Sequence, residues 1–95
     1  MRKYEILLIL PPDADDSSVA ATIDRITQVL SRHGGEVGKV DRWGKRKLAY
    51  ELRRLSEGFY LLVECSAQPE ALKDLDRTLS LADEVIRFKM VARAA

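Results

Sequence analysis

Hydrophobic spacing along this chain follows one order, strand, helix, strand, strand, helix, strand, and few folds can satisfy it. Arg2 to Leu10 alternates, with Tyr4, Ile6, Leu8 and Leu10 on one side and Lys3, Glu5, Leu7 and Ile9 on the other. Its unbroken apolar run from Ile6 to Leu10 suits a central strand covered on both faces. Pro11-Pro12 then ends the pairing, because neither residue can donate to a ladder. Asp13, Asp15, Asp16, Ser17 and Ser18 open a helix, where orphan amides and the positive dipole end favour them. Val19, Ile23, Ile26 and Leu30 paint its apolar face, and Arg32, His33 and Gly34-Gly35 close it.

The second half repeats the theme. Glu36 to Leu52 reads as a long charged strand, with Gly38 and Gly44 as places for bends or bulges. Arg54 to Gly58 reads as the turn, followed by a strand from Phe59 to Cys65. In that strand Phe59, Leu61, Val63 and Cys65 alternate with Tyr60, Leu62 and Glu64. Pro69 sits in the first turn of a second helix whose buried face is Leu72, Leu75 and Leu79. Val85 to Val91 is the last strand, with Ile86, Phe88 and Met90 inward and Arg87 and Lys89 outward. The order is βαββαβ. With right-handed crossovers it gives an α+β, ferredoxin-like fold: a four-stranded antiparallel sheet with two helices on one face, one domain over 1–95. The other sheet face stays open, carrying Lys3, Glu5, Tyr60, Glu64, Arg87 and Lys89 around Leu7, Ile9 and Leu62. Exposed apolar residues framed by charge suit a docking surface as well as an ordinary half-covered sheet.

Ninety-five residues hold one core and no large enclosed substrate chamber. The single histidine, His33, is accounted for as a contact at a helix C-terminus. The single cysteine, Cys65, excludes an internal disulfide and a cysteine-rich zinc site, and its strand phase buries it. There is no GxGxxG or Walker loop, no Cys-His-Asn pattern and no carboxylate spacing for a metal. The expectation is a protein that is not an enzyme and uses no cofactor, metal or small-molecule substrate. The first residues do not read as a signal peptide, and no stretch is long and apolar enough to cross a membrane. A cytosolic, soluble protein with no membrane partner is expected.

Sixteen Lys and Arg face fifteen Asp and Glu, a formal net charge of +1. That balance excludes a simple polycation, but it conceals a cluster. Between positions 39 and 54, Lys39, Arg42, Lys45, Arg46, Lys47, Arg53 and Arg54 outnumber Asp41 and Glu51. Trp43, the only tryptophan, lies among them. Cations neutralise phosphate and the indole offers a stacking face, so the pattern suits RNA. It equally suits an aromatic packed on a solvated hairpin under lysine stems. On a strand, Lys45 and Lys47 share one face and Arg46 takes the other. The stacking motif of an RNA-recognition domain of the same topology is not met. Glu57 precedes Gly58 where that motif needs a cation, and Phe59 and Leu61 point inward.

Met1-Arg2-Lys3-Tyr4-Glu5, Trp43-Gly44-Lys45-Arg46-Lys47-Leu48-Ala49-Tyr50 and Gly58-Phe59-Tyr60 together resemble the bacterial small-subunit ribosomal protein six family, over nearly the whole chain. The resemblance implies a ferredoxin-like fold and a structural role in the cytoplasm. It implies binding to the central domain of small-subunit ribosomal RNA, as a heterodimer with ribosomal protein eighteen, during assembly and translation. Arg2, Lys45, Arg46 and Lys47 match the family's motif positions and become the leading RNA or partner contacts. Arg42 and Trp43 join them through the hairpin cluster. Lys3, Arg87, Lys89 and Arg93 are added by sheet geometry and charge. Family members commonly carry proline where this chain has Glu51. The chain ends at Arg93-Ala94-Ala95, so the glutamate addition known for longer acidic tails is not expected. Two other readings of the topology are a small-molecule-sensing regulatory domain and an acyl-phosphate hydrolase. The first wants a glycine-bearing loop after the first strand and the second an arginine-containing one; Pro11-Pro12-Asp13 supplies neither.

Overall fold

The computed structural model describes residues 1–52 and 54–93, and the element order is the expected one. Strand β1 spans Arg2–Leu10, helix α1 Asp16–Arg32, β2 Glu36–Leu52, β3 Leu55–Ala67, helix α2 Pro69–Ser80 and β4 Arg87–Ala92. The strands form one sheet in the order β2-β3-β1-β4. Each neighbouring pair is antiparallel, so β1 lies between β3 and β4. This is the ferredoxin-like arrangement of two interlocked βαβ units.

The alternation within β1 decides the layering. Tyr4, Ile6, Leu8 and Leu10 are buried beneath both helices, in one cluster with Leu61 and Val63 of β3, Val19, Ile26 and Leu30 of α1, and Leu75 and Leu79 of α2. Ile23 and Leu72 lie at the margin of this cluster, half-buried, while Thr22 and Ala71 take fully buried places. Thr22 is tolerated there because its hydroxyl donates to the Ser18 carbonyl at 3.0 Å. Asp15 caps α1, accepting from the Ser18 amide at 2.8 Å, and this bond lowers its pKa. His33 is the C-cap and Gly34 follows at φ 74°, so the left-handed stop belongs to Gly34. Cys65 is buried, and desolvation raises its thiol pKa, which leaves it inert.

The β2–β3 hairpin departs from the expected boundaries. Strand β3 begins at Leu55, not Phe59, and Leu52 pairs with Leu55 across a tight turn that includes Arg54 at φ 65°. Arg53 lies outside the described residues. Gly58 is therefore a strand residue, not the end of a loop. A Cβ there would meet Ile9 Cγ2 at 2.5 Å, so any larger residue would have to displace the Ile9 side chain.

Seventeen extended residues would span about 55 Å, yet the longest dimension of the molecule is 36 Å. Strand β2 must bend. Its pairing with β3 shifts register between Val37 and Val40, between Arg42 and Gly44, and between Lys47 and Leu52. The first two shifts fall at the predicted glycines, and Gly44 adopts φ 82°.

Candidate nucleic-acid and partner interface

Strand alternation sorts the basic cluster onto two faces, and the bulge at Gly44 sets the phase beyond it. Arg42 stands opposite Leu61 and so lies on the helix side, where its Nη1 donates to Asp16 Oδ1 at 2.7 Å. Trp43 is the extra residue of the bulge and turns to the open face. There its ring stacks on Tyr60 with centroids 6.3 Å apart and planes 7° from parallel, and its Nε1 donates to Asp41 Oδ2 at 3.3 Å. Lys45 opposes Phe59 and Lys47 opposes Glu57, on the helix side. Arg46 opposes Gly58 on the open side, with its guanidinium carbon 5.6 Å from the Trp43 ring centroid. The expected split of Lys45 and Lys47 from Arg46 holds. Arg42 and Trp43, neighbours in sequence, point apart.

Across the open face the bent hairpin reaches the far edge. Arg87 of β4 donates from Nη1 to the Tyr50 hydroxyl and lies 6.0 Å from the centroid of that ring. Strand β2 and strand β4 are opposite edges of the sheet, so Tyr50 arches over Ile9 and Tyr60 to make this contact. Beneath it lies a hollow of about 140 Å³ lined by Ile9, Leu48, Ala49, Tyr50, Tyr60 and Arg87. Farther along the face a larger hollow of about 350 Å³ is lined by Glu5, Leu7, Trp43, Leu62, Lys89 and Val91. Trp43 and Val91 remain substantially exposed, 40% and 49%. The face has an apolar middle and a cationic border.

At the other end of the sheet the charges are compensated. Glu5 and Glu64 stand directly opposite each other on β1 and β3, an unfavourable like-charge pair. Arg93 lies against both, with Nε 3.1 Å from Glu5 Oε1 and Nη1 2.8 Å from Glu64 Oε1. Lys3 and Lys39 flank that site. Arg2 opposes Ala67 in the helix-side phase, at the end of β1 remote from the hairpin tip. The ten predicted residues therefore form no single patch. Arg46, Trp43, Arg87 and Lys89 border the open face; Lys45 and Lys47 lie behind the hairpin; Lys3 and Arg93 sit at the opposite end; Arg2 and Arg42 are on the helix side. Among the described residues, no ion pair involves Arg2, Lys3, Lys45, Arg46, Lys47, Arg87 or Lys89. Val91, which shares the phase of Arg87 and Lys89, and Tyr50 also line the open face, and neither is among the residues the sequence singles out.

A sequence profile described as Ribosomal protein S6 matches residues 3–92. The chain belongs to the ribosomal protein S6 family. It is 50% identical over 91 residues to the small ribosomal subunit protein bS6 of Clostridium beijerinckii, covering 96% of each chain. It is 44% identical over 91 residues to that of Acidothermus cellulolyticus, covering 96% of this chain and 95% of the relative. The crystal structure of 30S ribosomal protein S6 from Thermotoga maritima superimposes with a TM-score of 0.84 at 27% identity, covering 97% of this chain and 87% of that one. Membership makes the role structural and not enzymatic. The two curated relatives are small-subunit proteins, which in bacteria are cytoplasmic.

Proposed function

We propose that this chain, acting as one domain over its length, is a cytoplasmic structural protein of the small ribosomal subunit that binds small-subunit ribosomal RNA together with a second protein. The family resemblance names ribosomal protein eighteen for that partner and the central domain for the RNA. The observation that carries the reading is the exposed Lys45-Arg46-Lys47 triplet, which offers three cations to both sides of the hairpin without an ion pair among the described residues. Phosphate contact needs such uncommitted cations, since each phosphate neutralised releases condensed counterions. The partner's share is supported by the apolar middle of the open face, where Leu7, Leu62, Trp43 and Val91 meet. Cations at the hairpin fix the RNA, and the apolar face buries against protein.

The test is the triple variant Lys45→Ala, Arg46→Ala, Lys47→Ala, titrated onto the RNA–partner complex at several salt concentrations. The affinity should fall at low salt, and the slope of log K against log salt should shallow by about 2–3. Equal binding by variant and parent at every salt concentration would sink the assignment of RNA to the hairpin.

A further inference from the structure

We propose that the outer edge of β4 takes an added strand, supplied by an acidic, extended segment of a partner polypeptide. The inference rests on the partner half of the function proposed above and extends it; the RNA contact at the hairpin does not depend on it.

The sheet has two outer edges, and they differ. The β2 edge is interrupted by three register shifts and folds over at its tip. Bulges of this kind twist an edge away from further pairing. Strand β4 pairs with β1 without interruption from Tyr4↔Ala92 to Ile9↔Arg87, and contains no proline or glycine. The Arg93 amide donates to the Lys3 carbonyl at 2.9 Å, so Lys3 and Arg93 form a hydrogen-bonded pair. Antiparallel alternation then turns the backbone groups of Val91 and Lys89 toward β1. It leaves the N–H and C=O of Phe88, Met90 and Ala92 directed outward. These are three donors and three acceptors in a row, at the spacing of a strand.

The chemistry of that row selects its occupant. RNA backbone offers mostly acceptors, its one donor per nucleotide being the 2′-hydroxyl, whereas a polypeptide strand supplies donors and acceptors in the alternation that three amides and three carbonyls require. The side chains above the edge select further. Arg87, Lys89 and Val91 project on the open face beside the position an added strand would take. Lys89 has no ion-pair partner among the described residues, and Arg87 meets a neutral phenol, so its charge is uncompensated. A second copy of the chain fits poorly. Two-fold antiparallel registers set Lys89 against Lys89, or set Arg87 or Lys89 against Arg93. Like charges opposite one another repel. Acidic residues at alternate positions of an added strand all face Arg87 and Lys89 with opposite charge, and the apolar residues between them fall on the helix side beside Phe88 and Met90.

The experiment follows amide exchange by NMR in the full chain, with a blocked nine-residue peptide, Glu-Val-Glu-Val-Thr-Val-Glu-Val-Glu, as the probe. The same peptide with lysine for every glutamate and a single-stranded RNA oligonucleotide serve as the other arms. The acidic peptide should slow exchange at Phe88, Met90 and Ala92 and leave the β2 edge unchanged. Ala92→Pro removes one outward donor and no bond to β1, and should weaken binding about three- to tenfold. Lys89→Glu, which keeps the backbone intact, should weaken it by a similar factor and favour the lysine peptide. Protection of those amides by RNA, equal protection by both peptides, or protection confined to β2 would each overturn the proposal. If the acidic peptide fails while the triple hairpin variant still loses RNA, only the strand-addition proposal falls.

Discussion

Replacing Gly35 with alanine tests how closely α1 and the sheet are fitted together. Gly35 lies where the chain passes from α1 into β2. A Cβ at this position would sit 2.6 Å from the Ser66 carbonyl oxygen, with Ala67 Cα and the Leu30 carbonyl oxygen each at 3.3 Å. All three obstacles are backbone, so no side chain can rotate away. The Gly35 amide is itself held by the Leu30 carbonyl at 2.7 Å, and Ser66 is paired with both Lys3 and Glu36. Overpacking a fitted site costs about 1–3 kcal/mol, and rigid backbone on every side points to the upper part of that range. The glycine-to-alanine change returns about 0.4–1 kcal/mol through the unfolded chain. The net loss is about 2 kcal/mol, or a fall in Tm of about 10–15 °C for a domain of this size. Gly34→Ala is the comparison. Its φ is 74°, but the nearest atom to an added Cβ is Met1 Cε at 3.6 Å, so only the left-handed conformation opposes it, at about 1 kcal/mol. Thermal and urea unfolding of both variants gives the ranking. Conformation alone predicts that Gly34→Ala is the worse; steric closeness predicts Gly35→Ala. A Tm for Gly35→Ala within about 2 °C of the parent would refute the argument.

Two further outcomes follow from single contacts. Arg54 holds φ 65° in the hairpin turn, a conformation that costs an L-residue about 1 kcal/mol, and glycine's freedom in the unfolded chain takes back about 0.4–1 kcal/mol, so Arg54→Gly should raise the urea-derived stability by no more than roughly 0.6 kcal/mol and not lower it. The side-chain hydrogen bond from His33, 3.1 Å away, leads the causes that lower the Asp74 pKa. A lowered carboxylate pKa contributes stability above the unfolded value near 3.9 and loses it as pH falls through the folded value. Urea midpoints should therefore separate the parent from Asp74→Ala at neutral pH and converge as the pH falls through the lowered pKa of Asp74.

Much of the fold is written in short-range patterns, and its departures come from contacts that such patterns do not carry. The ends of β1 were legible because charged residues lead into it and Pro11-Pro12 stops it. The phase of β1 and β3 assigned the open face in advance, including Tyr60 beneath Trp43. Gly58 misled because glycine after Arg54-Leu55-Ser56-Glu57 resembles a turn ending. Its reason for being glycine is Ile9, nearly fifty residues away in sequence. Arg42 and Trp43 point apart by ordinary strand alternation, whereas the extra residue at Trp43 shifts the phase beyond it and puts Lys45 and Lys47 on the side of Arg42, with no signal in the sequence beyond the adjacent Gly44. The link from Tyr50 to Arg87 was hidden because it joins opposite edges of the sheet through a stretch of β2, between Lys47 and Leu52, whose pairing with β3 is irregular.

The same long-range geometry explains how a chain with a net charge of +1 can carry the cationic surface that the proposed RNA contact requires. Ion pairing does not fall evenly on its cations. Arg25 is matched by Glu84, Arg42 by Asp16, and Arg93 by Glu5 and Glu64 together, and each of these joins separate elements of the fold. Their acids are consumed in tying helix to loop, helix to sheet, and strand to strand. Lys45, Arg46, Lys47 and Lys89 are in none of these pairs, and two of them lie beside aromatic or apolar surface: Trp43 under Arg46, Leu7 and Val91 beside Lys89. Uncommitted charge beside low-dielectric surface is screened less than charge in open water. What decides recognition is therefore which cations the fold leaves over, and it leaves them at the hairpin and along β4.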